Sequence, residues 1–408
     1  MKKTIKLAVV AALALGATSA FATNGAALIG MGAKARGMAG TGIGMSHGAE
    51  SALVNPALIT TVKSTEISFG GTIFMPDVKN TNSTTNMGGG TSSGDSKANL
   101  NVIPEVSLAT KINDNFYVGI GMWGTGGMGV DYRDAAAATS QQYQMVTNLQ
   151  LMQFGVPLAY KMNNFSIAVT PILQYGSLDI NYNSAALGGG QNGAGVAQDL
   201  KFGYNIGAAY TMSGLTIGAI YKSRINMDYK DQLKNAMAGF GVAYTNTELS
   251  TPAEIGLGAS YVFGASTVAL DYKKIKWSSA KGYEDFKWED QNVYSLGYEY
   301  KASNWAARVG YNYAKSPIKE QALGSLGATG TGADMAGLLN TFNLLGFPGI
   351  VESHYAVGGS YNVSDKASVD VAFVYAAQKT ETFKNFAGND ITTKHSQTGV
   401  SVQLNYDF

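Results

Sequence analysis

The three histidines, His47, His354 and His395, are the first candidates for nucleophilic, acid–base or metal chemistry, because the chain contains no cysteine. None of them stands at a spacing that is typical of metal ligands or of a nucleophile with its base. A serine and a histidine that are distant in sequence can still meet in a folded protein. Without a local catalytic motif, we expect that the protein is not an enzyme and holds neither a metal nor a cofactor.

One glycine pattern could indicate a dinucleotide site. Residues 119–124 satisfy the spacing G-x-G-x-x-G. The dinucleotide-binding motif also requires a helix directly after the glycines, whereas more glycines and then Val130 and Asp131 follow here. We interpret the match as chance.

The last nine residues, 400–408, alternate apolar and polar side chains and end on Phe408. A period of two places the apolar side chains on one face of a strand and the polar ones on the other. A strand of a soluble sandwich would show the same alternation, but one that closes on a terminal phenylalanine resembles the last strand of outer-membrane barrels. We expect the barrel-assembly machinery to recognise this strand.

The first 22 residues have the features of a secretory signal peptide. Three lysines precede a short apolar stretch at residues 7–15, and residues 20–22 form an A-x-A cleavage site. Cleavage near Ala22 would start the mature chain at Thr23 and change the formal net charge from +1 to about −2, which gives no electrostatic argument for nucleic acid. No other apolar run reaches the roughly 18 residues of a membrane helix, so export leads to the periplasm or the outer membrane.

Composition favours a membrane β-barrel. The chain is 45% hydrophobic and 14% charged, with 51 glycines, 23 tyrosines and 16 phenylalanines. Aromatic girdles at two membrane interfaces require tyrosine and phenylalanine, and tight turns and a crowded lumen require glycine. The length suits one barrel better than one soluble domain.

Alternating stretches separated by turn residues recur about fourteen times after residue 62. They predict an all-β fold, a fourteen-stranded antiparallel transmembrane barrel, which must close because lipid cannot satisfy an open sheet edge. Asp271, Glu299, Arg308 and Asp370 fall on the inward face of these strands, since a charge on the lipid face costs roughly 2–4 kcal/mol. Short turns alternate with long loops, as in barrels with periplasmic turns and external loops.

One long loop contains an apolar segment with helical i, i+3, i+4 and i+7 spacing. Its apolar side chains are the predicted ligand-binding residues Leu338, Leu339, Phe342, Leu345 and Phe347. A helix that caps its own barrel and a groove that captures a ligand are both compatible with this pattern, because a large apolar patch marks either packing or binding.

The glycine-rich residues 24–44, followed by Asn55-Pro56-Ala57, resemble the amino-terminal hatch of the FadL/TodX family of outer-membrane transporters for hydrophobic compounds. Asn-Pro alone would only indicate a turn, but the tripeptide stands where that family carries its NPA motif. Segments around Trp277, Trp288 and Arg308 look like the family's late strands. The resemblance implies a monomeric fourteen-stranded barrel whose lumen is plugged by the hatch, with hatch and gating roles for Asn55, Pro56 and Ala57.

The resemblance also implies a lateral exit at a kinked third strand. The third predicted strand of this chain contains Gly124, Gly126, Gly127 and Gly129, and clustered glycines weaken a strand and mark a bulge or a close approach of backbones. These glycines are therefore the predicted lateral-gate residues. Tight packing of the wall against the hatch is an equally good explanation of the same pattern.

We therefore predict a signal peptide at residues 1–22, a hatch at 23–62 and a transmembrane barrel at 63–408. The expected function is passive uptake of hydrophobic small molecules across the outer membrane, with long-chain fatty acids as the first choice of ligand and lipid and lipopolysaccharide as surroundings. A fatty carboxylate needs a basic partner, for which Lys222, Arg224 and Arg308 are available. Channels for aromatic or aliphatic hydrocarbons, and a general porin or structural surface barrel, are the alternatives.

Overall fold

A computed structural model describes residues 23–133, 140–185, 189–330 and 332–408, so the predicted signal peptide lies outside the described residues. Nearly all strands belong to one antiparallel sheet that closes on itself, because β14 pairs with β1 from Asp407 opposite Glu66 to Ile391 opposite Asn82. The fourteen wall strands, three of them in two pieces, are β1 (Thr65–Ser83), β2 (Thr91–Asp95 and Asn101–Lys111), β3 (Phe116–Asp131), β4 (Val146–Gly155 and Leu158–Met162), β5 (Phe165–Asn183), β6 (Gln191–Gly193 and Ala197–Met212), β7 (Leu215–Lys222), β8 (Glu254–Phe263), β9 (Ser266–Ile275), β10 (Gln291–Lys301), β11 (Trp305–Ala314), β12 (Ser353–Asn362), β13 (Ala367–Lys384) and β14 (Asp390–Asp407). The prediction of a closed barrel of fourteen antiparallel strands is confirmed.

Strand alternation sorts the side chains as the sequence predicts. Along β14, Val402 and Leu404 are 48% and 51% exposed on the outer face, whereas Ser401 and Gln403 are buried on the inner face. The four charged residues predicted to point inward are all buried; they are Asp271, Glu299, Arg308 and Asp370. The wall therefore has an apolar outer surface and a polar inner surface, as a barrel in lipid requires.

Tight turns join the strands at one end of the barrel. Met212 pairs directly with Leu215, and the two residues between them, Ser213 and Gly214, have φ of 48° and 84°. Positive φ at both central residues matches the twist of the strands in a two-residue hairpin. Long loops join the strands at the opposite end, which is the external end in barrels of this kind.

The residues before the first wall strand form short elements that are almost wholly buried. They are two-residue strands at Thr23–Asn24 and Ala27–Leu28, helix α1 (Gly32–Gly37), a 3₁₀ turn at Gly48–Glu50, helix α2 (Ser51–Val54) and a 3₁₀ helix at Pro56–Thr61. Asn55 begins the last of these: its side-chain oxygen accepts the Ala57 N–H at 3.1 Å, and Pro56 at the first position has no N–H to satisfy. Residues 23–62 are called the amino-terminal segment below.

The long loops contain two further helices, α3 (Gln232–Ala238) and α4 (Met335–Leu345). The side chain of Asp334 caps α4 by accepting the Gly337 N–H at 2.8 Å. The predicted helical segment is thus confirmed, and its apolar side chains are buried. In the described part of the chain, no helix is long and apolar enough to cross a membrane.

Candidate functional site

A buried ion pair joins the amino-terminal segment to β2. The Arg36 guanidinium donates to both carboxylate oxygens of Glu105, at 2.9 and 2.5 Å, and to the Thr72 hydroxyl at 2.6 Å. Glu105 also accepts the Gly32 N–H at 3.0 Å. Such a two-point contact fixes orientation as well as distance. The segment is therefore held in one position against the wall next to β3.

Charged side chains also hold the segment against β13. The Lys34 ammonium lies 3.3 Å from Glu50 within the segment and 3.5 Å from Asp370 on β13. Arg308 on β11 pairs with Glu299 at 2.7 Å and lies 3.9 Å from Asp370. Arg308 is thus neutralised by wall carboxylates, which makes it a poor candidate to bind a ligand carboxylate.

The backbone of the amino-terminal segment lies close to the backbone of the wall where the segment meets β8 and β9. The Asp271 carboxylate accepts the N–H groups of Gly42 and Ile43 at 2.7 and 2.8 Å. A Cβ at Gly44 would come within 2.5 Å of the Ala259 nitrogen, and a Cβ at Gly258 would come within 2.6 Å of the Gly44 nitrogen. Glycine is therefore required on both sides of this contact.

The predicted gating residues connect the segment to β6. The Asn55 amide donates to the carbonyl of Ile43 at 2.7 Å and to the carbonyl of Ala208 on β6 at 3.1 Å, while its oxygen caps the following 3₁₀ helix. Pro56 and Ala57 continue into that buried helix. Asn55 therefore links two parts of the segment to each other and to the wall.

The predicted glycine cluster lies where β2 and β3 stop pairing. In the described chain, β2 pairs with β3 only between Glu105 opposite Trp123 and Lys111 opposite Tyr117. Beyond Trp123, β3 is bonded to the amino-terminal segment instead: Ala27 pairs with Gly126, and the Gly127 N–H donates to the Ala26 carbonyl at 3.2 Å. We call the stretch of β3 from residue 124 to 130 the β2–β3 gap.

The predicted bulge is present in the gap. The register of β3 against β4 shifts between Gly124 and Gly126, whereas Gly127 and Gly129 pair regularly with Gln150 and Asn148. A Cβ at Gly126 would come within 2.7 Å of the Ala26 carbonyl oxygen. Close packing against the amino-terminal segment is thus observed, and it occurs at the same place as the interruption of the wall.

Trp123 stands at the edge of the gap and was not singled out from the sequence. Its side chain is 1% exposed, and its indole N–H donates to Ser107 at 2.8 Å. A Cβ at Gly121 would come within 1.9 Å of the indole ring, so the ring occupies the space that this glycine leaves. Trp123 fills the inner side of the wall at the point where pairing ends.

An internal cavity of about 70 Å³ lies between the amino-terminal segment and strands β3, β4 and β6 to β10. Apolar side chains such as Leu28, Ile43 and Ile225 line much of it. It also contains the ammonium groups of Lys222 and Lys273, which lie 3.7 and 3.5 Å from the single carboxylate of Glu254. The two cations share the Glu254 carboxylate, while the second carboxylate in the lining, that of Asp271, accepts two N–H groups of the segment.

Aromatic side chains close the external side of this cavity. Trp277 and Tyr283 belong to its lining, and with Trp288 they form a cluster whose ring centroids lie 4.6–5.1 Å apart. Gly25, with φ of 66°, lies against this cluster, and a Cβ there would come within 2.9 Å of the Trp277 ring. The start of the amino-terminal segment is therefore packed under the external loops.

The predicted ligand-binding residues of α4 lie in a second, separate environment. A small apolar cavity of about 10 Å³ is lined by Leu338, Phe342 and Leu345 together with residues of α3 and of the β3–β4 loop. Leu339 and Phe347 are buried but do not line it. Phe342 and Phe347 both contact Phe286, with ring centroids 5.1 and 6.3 Å away.

A profile of the family described as "Outer membrane protein transport protein (OMPP1/FadL/TodX)" matches residues 8–324 of the chain. The chain belongs to this family. The long-chain fatty acid transport protein of Escherichia coli is 24% identical over 68% of this chain and 76% of that protein. The OMPP1/FadL/TodX assignment agrees with the resemblance that the amino-terminal residues carry.

Two solved structures of the FadL/TodX type share the fold. A FadL homologue of Pseudomonas aeruginosa has a TM-score of 0.70 at 17% identity and covers 94% of this chain and 100% of its own. The toluene transporter TodX of Pseudomonas putida has a TM-score of 0.67 at 16% identity, over 93% and 99% of the two chains. At such identities the likeness shows the architecture, and the ligand must be inferred from this chain's own residues.

The sequence identifies Lys222 as a basic candidate but does not single out Lys273 or Glu254, which lie beside it in the cavity. We call these three residues the charged corner of the cavity. Alternation within β9 places Lys273 and Asp271 on one face, so an inward Lys273 could have been identified. The position of Glu254 could not have been identified, because it depends on the strand register that places Lys222 and Lys273 beside Glu254. Of the other basic candidates, Arg224 donates to the Ser279 carbonyl at 2.8 Å outside this cavity.

Proposed function

We propose that this FadL/TodX family member is a passive outer-membrane channel for hydrophobic small molecules and that its principal ligands are long-chain fatty acids. The observation that carries the substrate class is the cavity with apolar walls and two lysines on one glutamate. A ligand carboxylate beside Lys222 and Lys273 would balance the second ammonium, and charge-assisted hydrogen bonds are the stronger kind. The acyl chain would lie along Leu28, Ile43 and Ile225.

We infer that the amino-terminal segment is a hatch that plugs the lumen. Its burial and its contacts with inward-facing groups on β2, β6, β9 and β13 support this role. Asn55 would control the hatch because one amide bonds both Ile43 and the wall carbonyl of Ala208. Pro56 and Ala57 would keep the following turn rigid.

Release of the ligand is proposed to occur sideways through the β2–β3 gap. Gly124, Gly126, Gly127 and Gly129 lie on its β3 edge, and the amino-terminal segment covers it through Ala26 and Ala27. A small movement of the segment would uncover the part of β3 that does not pair with β2. The energetic cost of opening is lowest where strand pairing is already absent.

Capture from outside is proposed to begin at α4. Leu338, Leu339, Phe342, Leu345 and Phe347 would desolvate the ligand after a local displacement of the loops. Each buried CH₂ group contributes about 0.8 kcal/mol, so an acyl chain is captured by its apolar area. Binding followed by diffusion then suffices for transport, without catalysis.

The mature protein is proposed to be a monomer that starts near Thr23 and lies in the lipid and lipopolysaccharide of the outer membrane. Strand β14, which pairs with β1 to close the barrel, is the segment that the barrel-assembly machinery would recognise. Its exposed Val402 and Leu404, and Phe408 directly after it, support contact with lipid.

Uptake of a labelled long-chain fatty acid and of a labelled aromatic hydrocarbon tests this proposal. Cells that lack their own transporter would be complemented with the wild type, Asn55→Ala or the control Asn164→Ala in an exposed turn. We expect fatty-acid uptake by the wild type and the control and its loss in Asn55→Ala. Uptake of the hydrocarbon alone would transfer the assignment to that class, and large steady ion currents in planar bilayers without uptake would indicate a porin.

A further inference from the structure

The wall has a second interruption, between β6 and β7. Strand β6 pairs with β5 from Ala197 to Tyr210, but its pairing with β7 in the described residues begins only at Asn205 opposite Lys222. Strand β7 ends at Lys222, so the external part of β6 has no ladder partner on that side. We call this place the β6–β7 notch.

The chain that follows β7 leans inward instead of continuing the wall. Ile225 and Tyr229 are 3% and 0% exposed. A Cβ at Gly203 of β6 would come within 2.5 Å of Ile225, and a Cβ at Gly176 of β5 would come within 2.1 Å of the Tyr229 hydroxyl. These glycines allow the inward chain to lie against the inner face of β5 and β6, which leaves the outer face of the notch uncovered.

The outer face of the notch is an open pocket of about 630 Å³. Phe202 in its lining is 82% exposed, and the rings of Tyr204 and Tyr221 lie 6.0 Å apart. Lys201, whose ammonium lies 3.4 Å from Asp199, and Arg224, which donates to the Ser279 carbonyl, also line the pocket, as does Glu248. The lining is thus mixed, with aromatic rings beside two cations at the external end of the wall, and an amphipathic surface of this kind suits a single-chain acid in the outer leaflet.

The pocket outside and the cavity inside are separated by one thin layer of chain. Ser223 lines both of them, with Arg224 on the outer side and Lys222 and Ile225 on the inner side. Two hydrogen bonds to one residue hold this layer to β6: the Ser223 N–H donates to the Tyr204 carbonyl and the Tyr204 N–H donates to the Ser223 hydroxyl, both at 2.9 Å. Displacing Ser223 would connect the outer leaflet with Lys222 and Lys273.

We propose that the β6–β7 notch is a second lateral portal, an inlet through which a long-chain acid dissolved in the outer leaflet reaches the internal cavity. The inference rests on the proposed uptake function and adds the direction of entry. The cations at the mouth, Lys201 and Arg224, lead to the cations of the cavity, so the carboxylate meets a positive group at each stage. The acyl chain stays in contact with Phe202 and Tyr221 until it passes Ser223.

A disulfide across the notch tests the portal. A Cβ at Gly203 would lie 3.0 Å from the Ser223 hydroxyl oxygen, so the double variant Gly203→Cys with Ser223→Cys brings two thiols into bonding range once the Ile225 side chain, 2.5 Å from the new Cβ, has turned aside. The chain has no other cysteine. Thr211→Cys with Thr216→Cys is the matched control, because it joins the same strands where they are already paired, with hydroxyls 3.1 Å apart.

We expect the oxidised notch variant to lose uptake of a labelled long-chain acid that has been loaded into the outer membrane beforehand, and to recover it on reduction. Uptake of octanoate, supplied from water, should remain, and the control pair should behave as the wild type. Wild-type uptake of the long-chain acid by the oxidised notch variant would overturn the portal, as would an equal loss of both acids. If the wild type itself takes up neither acid, the proposed function fails instead.

A measurement on the unmodified wild type covers the case in which the double variant does not fold. A photoactivatable long-chain acid would be incorporated into outer-membrane vesicles that contain the protein, irradiated, and its attachment sites mapped by mass spectrometry. We expect attachment at Tyr204, Tyr221 or Ser223. Attachment confined to the external loops would overturn the proposal.

Discussion

The barrel wall has two sides that differ in how completely neighbouring strands pair. From β7 through β14 to β1, each strand forms a ladder with the next that, in the described residues, is broken by one bulge between Ala376 and Lys379. Between β2 and β7 the ladder stops twice, at Trp123 of β3 and at Asn205 of β6. We call these the continuous side and the interrupted side.

Glycine content does not explain the difference. The continuous side also contains inward glycines, and several of them receive the amino-terminal segment: Gly258 lies against Gly44, Gly310 against Met38, and Gly358 against Gly37. On the interrupted side, glycines accompany strands that have lost a partner. The segment is in fact seated on both sides, since Gly207 of β6 lies against Asn55 and Pro56, whereas the proposed routes through the wall lie on the interrupted side.

The largest effect is expected from filling the β2–β3 gap. Gly126→Leu would place its side chain against the Ala26 carbonyl, 2.7 Å from the new Cβ, and should reduce fatty-acid uptake to the background of cells without transporter. Gly359→Leu is the control on the continuous side, where the nearest atom to a new Cβ is the Ala306 carbonyl oxygen at 3.3 Å. Both variants should keep the heat-dependent gel mobility of a folded barrel; normal uptake by folded Gly126→Leu would refute the gate.

The next largest effect concerns the attachment of the segment to the interrupted side. Arg36→Met leaves Glu105 buried without its partner, and breaking a buried pair in this way typically costs about 3–5 kcal/mol. We expect faster labelling of a cysteine placed at Ala52, which is 0% exposed. The pair Arg36→Met with Glu105→Met should recover most of the protection. If Arg36→Met leaves the labelling rate unchanged, the pair does not hold the segment.

The amino-acid sequence is sufficient to predict most of the wall. Period-two alternation identifies the strands, the polarity of the inner face places Asp271 and Arg308, and the spacing of Leu338 to Leu345 predicts α4. The glycine cluster also locates the β3 bulge. These features depend on residues that are near one another in sequence.

The two interruptions and the charged corner could not be predicted, because they depend on register between distant strands. Nothing local in residues 197–203 indicates that β7 ends at Lys222 and leaves them without a ladder partner on the β7 side. Arg36 meets Glu105 only after the segment has folded against the wall. The pairing of Arg308 with Glu299 likewise depends on the register of β10 against β11.

A smaller effect should separate ligands with and without a carboxylate. Lys273→Gln leaves Lys222 and Glu254 as a neutral pair, and the loss of a charge-assisted hydrogen bond costs about 1.5–3 kcal/mol, so fatty-acid affinity should fall roughly tenfold or more. Binding of an aromatic hydrocarbon should not change. Lys274→Gln, whose ammonium lies 3.6 Å from Asp290, is the control. Equal losses for both ligands in a binding titration would contradict a carboxylate site.

The smallest effect concerns pH and the attachment of the segment to the continuous side. Burial raises the pKa of Glu50 from 4.5 to about 7, although Lys34 opposes the shift. The folded state then binds a proton that the unfolded segment releases, so this contribution to stability is complete below pH 4.5 and is lost as the pH rises to about 7. In Glu50→Gln, labelling of the Ala52 cysteine, corrected for thiol ionisation, should lose this dependence; an unchanged pH profile would exclude Glu50 as its source.

Hydrogen–deuterium exchange of the purified protein with and without a long-chain fatty acid tests most directly whether the interrupted side carries the ligand. We expect the ligand to change exchange in residues 124–131, in residues 199–204 and in the amino-terminal segment, while β10 to β12 remain as protected as before. Changes confined to β10 to β12, or no change in either interruption when the ligand is bound, would contradict this expectation.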